Sequence, residues 1–412
     1  MKYGLIGESL VHSFSKNIHR ELSDYVYNYY EVTKDELPSL LKKEAMGGFN
    51  VTIPYKQEVI KYCHSLSPSA EKIGSVNTLV YDKNRAITGY NTDYDGFIYL
   101  LKRSSIELKG ASVLILGNGG TSLTARAVAA DLGADKITIV SRKGPITYEK
   151  LEDYYDSTVI INTTPVGMYP NNGESLIDLA LFKKCRAVVD VIYNPLKTKL
   201  VLQAESLGIK ATGGLPMLVA QARTASELFT GETISDNKVE AIINKLSKEK
   251  ENIVLVGMPG CGKSTIGAAL AKVTGKELIE TDILVEDHEG RTIPEIFEDK
   301  GEAYFREVEK AMVASAGKRS GVIISTGGGV ILNKENLDPL RQNGQIYFIQ
   351  RPIESLSKDG RPLSKSTEVL KDMYKIRLRL YMSFSNKVVN NYTTIAKATE
   401  DILKDYNERS IL

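Results

Sequence analysis

The sequence contains no tryptophan, three cysteines and four histidines in 412 residues. The cysteines, Cys63, Cys185 and Cys261, form no Cys-x-x-Cys pair, so neither a disulfide framework nor a thiolate zinc site is indicated. The scarcity of cysteine favours a reducing, cytoplasmic setting. His12 and His19 are seven residues apart, and no cysteine lies near them in the sequence. We expect them to be packing and hydrogen-bonding residues rather than a metal pair.

The chain also lacks long apolar segments and an excess of either charge. No apolar run approaches the roughly 20 residues that span a bilayer, and the N-terminus lacks the basic and apolar regions of a secretory signal. The 53 Lys and Arg residues nearly balance the 51 Asp and Glu residues, which gives no electrostatic reason for a nucleic-acid partner. We therefore expect small-molecule substrates and no membrane or nucleic-acid partner; the oligomeric state stays open.

Short β-branched runs alternate with longer helical stretches, which predicts α/β architecture with parallel sheets. A length of 412 residues corresponds to two or three domains of roughly 100–200 residues each. A lysine-rich stretch with a helical centre separates two series of predicted strands and places a boundary near Glu249. The predicted strands are Lys2–Ile6, Gly48–Val51, Ser112–Leu116, Lys136–Val140, Val159–Asn162 and Ala187–Val191, then Ile253–Val256, Val322–Ser325 and Gln345–Ile349.

A phosphate-binding loop follows the first strand of the second series. The segment Gly257-Met-Pro-Gly-Cys-Gly-Lys263-Ser264 has G-x-x-x-x-G-K-[ST] spacing between a predicted strand and a predicted helix. Its glycines allow backbone N–H groups to turn toward phosphate oxygens, and the helix N-terminus favours negative charge. We expect Lys263 to neutralise phosphate charge and Ser264 to bind Mg²⁺. The predicted ATP-binding residues are Gly257, Gly260, Cys261, Gly262, Lys263, Ser264 and Thr265.

Residues 251–412 resemble the shikimate kinase family. Four segments besides the loop carry the likeness: Glu280-Thr-Asp282, Gly301-Glu-Ala-Tyr-Phe-Arg306-Glu-Val-Glu309, Gly327-Gly328-Gly329 and Arg377-x-x-Leu-Tyr381. The resemblance implies a P-loop α/β domain with a parallel sheet and a lid.

The same resemblance implies a role for each matched residue. Arg306 and Arg377 would clamp the carboxylate of shikimate through charge-assisted bonds. Gly328 and Gly329 would let the backbone approach its ring. Asp282 would be the base for the attacking hydroxyl. Arg361 would come from the lid and stabilise the transferring phosphoryl group. Glu280 stands where the family usually has Asp and is, with Ser264, the predicted metal ligand.

A second glycine-rich loop lies in the first half. Gly117-Asn118-Gly119-Gly120-Thr121-Ser122 follows a predicted strand and precedes a predicted helix, which is typical of dinucleotide binding. The next strand ends in Ser141-Arg142-Lys143, with no carboxylate to hold a ribose 2′-hydroxyl. This basic pair favours a 2′-phosphate, and hence NADP(H), over NAD.

Residues 1–246 resemble the shikimate dehydrogenase family. The matching segments are Ser13-Phe-Ser15-Lys-x-x-His19, Asn50-Val-Thr52-Ile-Pro54-Tyr-Lys56, Ser75-Val-Asn77-Thr78, Asn91-Thr92-Asp93-x-x-Gly96, Asn162-Thr-Thr-Pro-Val-Gly167-Met168, Asp190-x-x-Tyr193-x-Pro195-x-x-Thr198 and Gly213-Gly214-x-x-Met217-x-x-x-Gln221-Ala. The resemblance implies a substrate subdomain at about 1–100 with a returning helix at about 236–247, and a Rossmann-like NADP subdomain at about 101–235. The whole chain then divides into 1–249 and 250–412.

Hydride transfer to a ketone also needs a proton donor at the carbonyl oxygen. The resemblance implies that Lys56 supplies the proton and that Asp93 orients Lys56 and binds a substrate hydroxyl. Further predicted substrate ligands are Ser13, Ser15, Thr52, Asn77, Tyr193 and Gln221. Gly214 and Met217 are predicted to flank the cofactor.

Together the two halves predict a bifunctional enzyme. The first half would reduce 3-dehydroshikimate with NADPH, and the second would phosphorylate shikimate at its 3-hydroxyl with ATP and Mg²⁺. Two alternatives stay open. The first half could oxidise quinate or use NAD, or one half could be a non-catalytic, ligand-binding regulator of the other.

Overall fold

The computed structural model describes residues 1–10, 14–43, 46–356 and 367–409. The chain divides into two compact units. Unit 1 comprises Met1–Val166, Ser175–Tyr193 and Gln203–Lys245; unit 2 comprises Gly167–Glu174, Asn194–Leu202 and Leu246–Leu412. Unit 2 thus includes two short segments from the first half of the sequence, and the division into 1–249 and 250–412 stays a prediction.

The first half of the sequence forms eleven strands and eight α-helices within the described ranges. The strands are β1 (Lys2–Gly7), β2 (Val26–Glu31), β3 (Met46–Val51), β4 (Ser65–Leu66), β5 (Thr78–Tyr81), β6 (Ile87–Tyr90), β7 (Ser112–Leu116), β8 (Lys136–Val140), β9 (Val159–Asn162), β10 (Ala187–Asp190) and β11 (Lys210–Thr212). The helices are α1 (Ser15–Leu22), α2 (Leu37–Leu41), α3 (Pro68–Ile73), α4 (Thr92–Arg103), α5 (Gly120–Asp131), α6 (Lys199–Ser206), α7 (Leu215–Thr230) and α8 (Asp236–Lys250).

The first sheet of unit 1 is mixed rather than parallel. Its strand order is β2-β1-β3-β5-β6-β4. Strands β1, β2 and β3 pair in parallel, but β5 is antiparallel to both β3 and β6. The prediction of parallel sheets is therefore wrong for this sheet. The short connection from β5 to β6 folds as a hairpin, which can only join antiparallel strands.

The second sheet of unit 1 is fully parallel, with the order β11-β10-β9-β7-β8. Strand β7 lies between β8 and β9, so the chain runs from β7 to β8 on one side and then returns to β9 on the other side of β7. In open α/β sheets such a reversal opens a crevice at the carboxyl ends of the strands, where nucleotides bind. The predicted glycine loop begins immediately after β7, at this crevice.

The C-terminal part contains strands β12 (Asn252–Val256), β13 (Leu278–Glu280), β14 (Ile323–Ser325), β15 (Gly344–Gln350) and β16 (Lys387–Asn390). Its helices are α9 (Lys263–Thr274), α10 (Thr281–Glu289), α11 (Ile293–Gly317), α12 (Leu337–Arg341), α13 (Thr367–Phe384) and α14 (Ile395–Glu408). The five strands form a parallel sheet in the order β13-β14-β12-β15-β16. The central β12 is fully buried, and the predicted phosphate loop follows it at the point where the strand order reverses.

Candidate active sites

Lys56 and Asp93 form a close ion pair in unit 1. Lys56 lies in the turn after β3, and Asp93 lies in the first turn of α4, where the helix N-terminus favours negative charge. Asn91 caps this helix: its Oδ1 accepts from Tyr94 N–H at 3.2 Å. The Lys56 Nζ to Asp93 Oδ2 distance is 2.6 Å, and the two side chains are 22% and 14% exposed. The pair is therefore largely buried yet accessible to a ligand.

A group of side-chain amides and hydroxyls lies beside Asp93. Asn77 Nδ2 is 3.4 Å from Gln221 Oε1, and Thr92 Oγ1 is also 3.4 Å from that oxygen. Gln221 belongs to α7, which packs closely on α4 because Gly96 lacks a side chain: a Cβ there would lie 2.7 Å from the Met217 carbonyl oxygen. Two of the predicted substrate ligands are thus in direct contact.

The remaining predicted ligands of this half lie at the ends of elements. Thr52 follows β3, and its N–H donates to Ile6 O at 2.9 Å. Ser15 is the first residue of α1. The ring of the preceding Phe14 lies 5.3 Å, centroid to centroid, from the half-buried ring of Tyr193. Ser13 and His12 lie outside the described residues.

The glycine loop after β7 has the backbone and the space that a dinucleotide needs. Gly117 has a φ of +103°, and a Cβ there would lie 2.8 Å from Thr164 Cγ2. Cβ atoms at Gly119 and Gly120 would meet nothing within 4 Å, so this side of the loop is open. Asn118 is exposed and Thr121 is half-buried. Helix α5 begins at Gly120 and presents its N-terminus to the crevice.

Polar residues follow the carboxyl end of β8, at the same edge of the sheet as the glycine loop. Arg142 and Lys143 are exposed, and Ser141 is 4% exposed. Its Oγ is buried and, among the described residues, has no hydrogen-bond partner. Such an unpaired hydroxyl and two exposed cations fit a phosphorylated ribose better than an uncharged one.

The two other predicted cofactor contacts differ in character. Gly214 precedes α7, and a Cβ there would lie 2.0 Å from Val191 O, so the backbone admits only glycine. Met217 is 7% exposed and belongs to the apolar core around the second sheet. Its packing is thus explained by the core, and its contact with a cofactor stays a prediction.

The phosphate loop after β12 has the expected strand–loop–helix context. Gly260 and Gly262 have φ values of +82° and +100°, and a Cβ at Gly257 would lie 2.6 Å from Ile349 O. Lys263 is buried and donates to the carbonyl oxygens of Gly257 and Met258 at 2.9 and 3.2 Å. These bonds hold the ammonium group inside the loop, where phosphate oxygens fit.

Three further positions complete the loop. The backbone carbonyl of Cys261 accepts from Asn391 Nδ2 at 2.8 Å, which ties the loop to the residue after β16. Thr265 is exposed beside the cavity next to the loop. Ser264 Oγ donates to Glu280 Oε2 at the end of β13. A hydroxyl and a carboxylate in contact, both oxygen ligands, fit a hard cation such as Mg²⁺.

A cavity of about 550 Å³ lies beside this loop and contains the predicted acceptor residues. Arg377 Nη1 and Tyr381 Oη both donate to Gly328 O, at 3.1 and 2.5 Å. Arg306 lies against the same turn, since a Cβ at Gly329 would lie 2.2 Å from its Nη1. The two arginines therefore point into one cavity from helices α11 and α13.

Carboxylates line the other side of the glycine turn. A Cβ at Gly327 would lie 2.5 Å from Asp282 Oδ1 and 2.9 Å from Glu309 Oε1. Arg306 Nη1 donates to Glu309 Oε2 at 2.8 Å. Burial raises the pKa of Glu309, with the Asp282 charge adding to the effect and Arg306 opposing it. Any side chain at Gly327 would displace these groups.

Sequence reasoning missed some residues of this cavity. Glu309 is the last residue of the segment from Gly301 to Glu309 that carries part of the kinase resemblance, and this position was the available signal. Arg351 also lines the cavity, and its Nη1 is 3.5 Å from Gly260 O; no motif pointed to it. The predicted lid residue Arg361 lies outside the described residues.

Two family models match different parts of the chain. A model of the shikimate dehydrogenase substrate-binding domain matches residues 5–79, and a model of shikimate kinase matches residues 259–407. The NADP(+)-type shikimate dehydrogenase of Clostridium perfringens strain SM101 is 36% identical over 265 residues, covering 59% of this chain and 97% of that protein. The chain belongs to the shikimate dehydrogenase family and carries a shikimate kinase domain. It is a bifunctional shikimate-pathway enzyme.

Solved structures resemble the dehydrogenase part. The chorismate mutase/shikimate 5-dehydrogenase fusion protein of Clostridium acetobutylicum is 38% identical, with a TM-score of 0.57, over 60% of this chain and 97% of that chain. The quinate dehydrogenase of Corynebacterium glutamicum in complex with NAD is 26% identical, with a TM-score of 0.55, over 59% and 98%. The α/β fold, both family resemblances, and NADP and ATP as the cofactors predicted from sequence are confirmed. In the part of the chain that the structure describes, the helices are too short or too polar to cross a membrane.

Proposed function

We propose that the dehydrogenase half reduces 3-dehydroshikimate to shikimate with NADPH. The observation that carries this proposal is the 2.6 Å contact between Lys56 Nζ and Asp93 Oδ2 beside the Asn77–Gln221 amide pair. Bound NADPH supplies the hydride, which adds to the carbonyl carbon. Lys56 donates a proton to the carbonyl oxygen, so the C=O bond becomes a C–OH group. Asp93 holds the ammonium group in place and binds a neighbouring hydroxyl.

The remaining polar groups of this half bind the acid and the ring. The Ser15 hydroxyl holds the carboxylate end, and Thr52, Asn77, Tyr193 and Gln221 supply further hydrogen bonds. Arg142 and Lys143 pair with the ribose 2′-phosphate, and the loop from Gly117 to Thr121 receives the pyrophosphate at the N-terminus of α5. A substrate that leaves these buried groups unpaired binds poorly.

The kinase half, we propose, transfers the γ-phosphoryl group of ATP to the 3-hydroxyl of shikimate. The convergence of Arg306 and Arg377 on the glycine turn beside the phosphate loop supports this proposal, because paired guanidinium groups bind a carboxylate bidentately. Asp282 accepts the proton of the 3-hydroxyl while the hydroxyl oxygen forms a bond to the γ-phosphorus. The bond between the γ-phosphorus and the leaving ADP oxygen breaks. Lys263 neutralises phosphate charge, and Ser264 and Glu280 hold Mg²⁺.

A second candidate for the first half is quinate oxidation or the use of NAD. It is favoured by the structural similarity to a quinate dehydrogenase in complex with NAD. Steady-state assays of shikimate and quinate, each with NADP⁺ and NAD⁺, decide between the two. We expect the highest kcat/KM for shikimate with NADP⁺. A preference for NAD⁺ would overturn the role given to Arg142.

A parallel assay tests the kinase proposal. We expect shikimate and MgATP to give ADP and a monophosphate ester at the 3-hydroxyl, identified by phosphorus and proton NMR. Phosphorylation at another hydroxyl would contradict the placement of Asp282. Absence of any ADP formation would support the view that this half is a ligand-binding regulator.

A further inference from the structure

A row of buried polar side chains runs through the first sheet to the substrate ligand Asn77. Asn50 at the end of β3, Thr78 at the start of β5 and Thr92 at the start of α4 are 5%, 0% and 1% exposed. None of the three was predicted from sequence to have a function. Burying a polar group costs free energy unless the group is hydrogen-bonded. The hydrogen bonds of these side chains therefore indicate which groups they orient.

The bonds fix the orientation of the Asn77 amide. Asn77 Oδ1 accepts from Thr92 N–H at 2.7 Å and lies 3.2 Å from both Thr92 Oγ1 and Thr78 Oγ1. A backbone N–H can only donate, so the atom facing it must be the oxygen. Rotating the amide by 180° would place its NH₂ group against that donor. Asn77 therefore presents only its Nδ2 donor on the side of Gln221.

Asn50 makes the Thr78 hydroxyl a donor toward the side of Asn77. Asn50 Nδ2 donates to Thr78 Oγ1 at 3.0 Å. One lone pair of Thr78 is used by this bond, and its single hydroxyl hydrogen has two oxygens within reach, Asn77 Oδ1 and Thr92 Oγ1, each at 3.2 Å. Asn50 is itself oriented by Tyr27, whose hydroxyl donates to its Oδ1 at 2.8 Å. Tyr27, Asn50 and Thr78 thus form a connected series of hydrogen bonds that ends at the Asn77 and Thr92 side chains.

We propose that Thr78, held by Asn50, is a positioning residue that acts together with the Thr92 backbone N–H to keep Asn77 as a hydrogen-bond donor to one ring hydroxyl of the substrate. This inference rests on the proposed dehydrogenase function of unit 1. In this arrangement the Asn77 side-chain NH₂ group donates a hydrogen bond to the oxygen of the substrate hydroxyl. The amide does not accept a hydrogen bond from that hydroxyl. It also predicts that the strength of this contact depends on a side chain that does not touch the substrate.

The test compares Thr78→Val, which removes the hydroxyl at nearly constant volume, with Thr78→Ser, which keeps it. The matched control is Thr88→Val on the neighbouring β6, because the Thr88 hydroxyl contacts that of Ser65, at 2.9 Å, on the exposed edge. Each variant is assayed for shikimate oxidation with NADP⁺, for NADP⁺ affinity and for kinase activity. Shikimate analogues lacking single ring hydroxyls are assayed alongside.

We expect Thr78→Val to lower kcat/KM for shikimate about tenfold, the effect of one hydrogen bond, with NADP⁺ affinity and kinase activity unchanged. Thr78→Ser should restore most of the loss. The decisive readout is that Thr78→Val loses discrimination against only one of the deoxy analogues, because a merely structural defect would affect all of them alike.

Equal values of kcat/KM for Thr78→Val, Thr78→Ser and Thr88→Val, with an active wild type, would overturn the inference and leave the dehydrogenase proposal intact. A wild type that does not oxidise shikimate would instead refute the dehydrogenase proposal. If Thr78→Val does not bind NADP⁺, which would indicate that it has not folded, Thr78→Ala is compared with Thr78→Ser instead. Unchanged analogue discrimination in Thr78→Ala would likewise overturn the inference.

Discussion

At the scale of single residues, the proposed dehydrogenase chemistry depends on one lysine that has a carboxylate partner. Lys56 and Asp93 are 37 positions apart in sequence and meet because the turn after β3 faces the first turn of α4. A general acid must lie within hydrogen-bond reach of the atom that it protonates. Holding the ammonium group at 2.6 Å from Asp93 restricts it to such a position.

Replacing this lysine should remove the proton donor and leave the fold in place. We expect Lys56→Met to slow dehydrogenase turnover at least about 100-fold, the usual contribution of general acid catalysis, with kinase activity unchanged. The control is Lys72→Met, which removes an exposed ion pair with Asp131. The rate of NADPH oxidation at saturating keto acid measures both variants. Turnover of Lys56→Met at the rate of the control would show that another group donates the proton.

Glu280 is the residue that departs from the shikimate kinase pattern. Its longer side chain accepts a hydrogen bond from Ser264, the predicted Mg²⁺ ligand. We expect Glu280→Gln to raise the Mg²⁺ concentration for half-maximal kinase velocity at least about tenfold, because it replaces a charged oxygen ligand by a neutral one and alters the partner of the Ser264 hydroxyl. Glu277→Gln, which removes an exposed ion pair with Arg319, serves as the control. An unaltered Mg²⁺ requirement in Glu280→Gln would exclude Glu280 from the metal site.

At the scale of elements, helix α11 carries two acceptor-site residues on one side of an internal break. Gly301 has φ +78° and ψ 175° in the middle of the helix, and residues 302–317 follow in a new direction with Arg306 and Glu309. Only glycine adopts this backbone region readily. A Cβ at Gly301 would meet nothing within 4 Å, so any cost of a side chain comes from the backbone alone.

Gly301→Ala should therefore weaken the kinase site through the backbone. We expect it to lower the free energy of unfolding of this region by about 1–3 kcal/mol and to raise the KM for shikimate, since Arg306 shifts with the helix. Urea denaturation and steady-state kinetics measure the two effects. Gly173→Ala, at an exposed glycine with a similarly open surrounding, should change neither. Wild-type stability and KM in Gly301→Ala would show that the break does not position Arg306.

Helix α1 is joined to strand β2 by a buried histidine. His19 is 1% exposed, stacks on Tyr27 with centroids 4.0 Å apart, and its Nδ1 lies 2.5 Å from Tyr25 Oη. Burial lowers the pKa of His19 to about 3, and a hydrogen bond with Asn50 opposes the shift only partly. The folded chain therefore keeps this imidazole neutral where the unfolded chain protonates it.

The stability of unit 1 should consequently fall as the pH falls below 6.5. The unfolded state binds a proton at His19 near pH 6.5 and the folded state only near pH 3, so the contribution is full above 6.5 and is lost progressively toward 3. At pH 5 the loss is about 2 kcal/mol. Urea denaturation at pH 7.5 and pH 5 should show this difference in the wild type and less of it in His19→Gln. Equal differences in both proteins would mean that His19 does not cause the pH dependence.

Local sequence patterns predicted the elements that are set by local chemistry. Ser112–Leu116, Lys136–Val140 and Val159–Asn162 form strands at the predicted bounds, because buried parallel strands are continuous β-branched runs. Strands β5 and β6 were not among the predicted strands. The antiparallel direction of β5 and the break at Gly301 were missed as well, since strand pairing and backbone torsion depend on distant parts of the chain.

The candidate sites were likewise predictable from the sequence only in part. The phosphate loop, the Lys56–Asp93 pair and the two arginines could be predicted because they lie in segments that resemble known families. The partners that orient them could not. Thr78 and Asn50 are 28 positions apart, and neither residue type nor spacing reveals which way a hydroxyl or an amide points.

At the scale of the whole molecule, the chain combines two nucleotide sites of different kinds. One is a glycine loop after β7 in a parallel sheet, and the other is a phosphate loop after β12 in a second parallel sheet. Each begins where the strand order reverses, which is where α/β sheets bind nucleotides. The product of the first proposed reaction is the substrate of the second, which gives the fusion a chemical rationale.

The most direct measurement is a coupled assay with 3-dehydroshikimate, NADPH and MgATP as the only reactants. The account predicts that the purified chain forms shikimate 3-phosphate, with one NADP⁺ and one ADP per molecule of product. ADP formation should stop when NADPH is omitted. Oxidation of NADPH that ends at shikimate, or ADP formation that does not depend on NADPH, would contradict the claim that both sites act on the same acid.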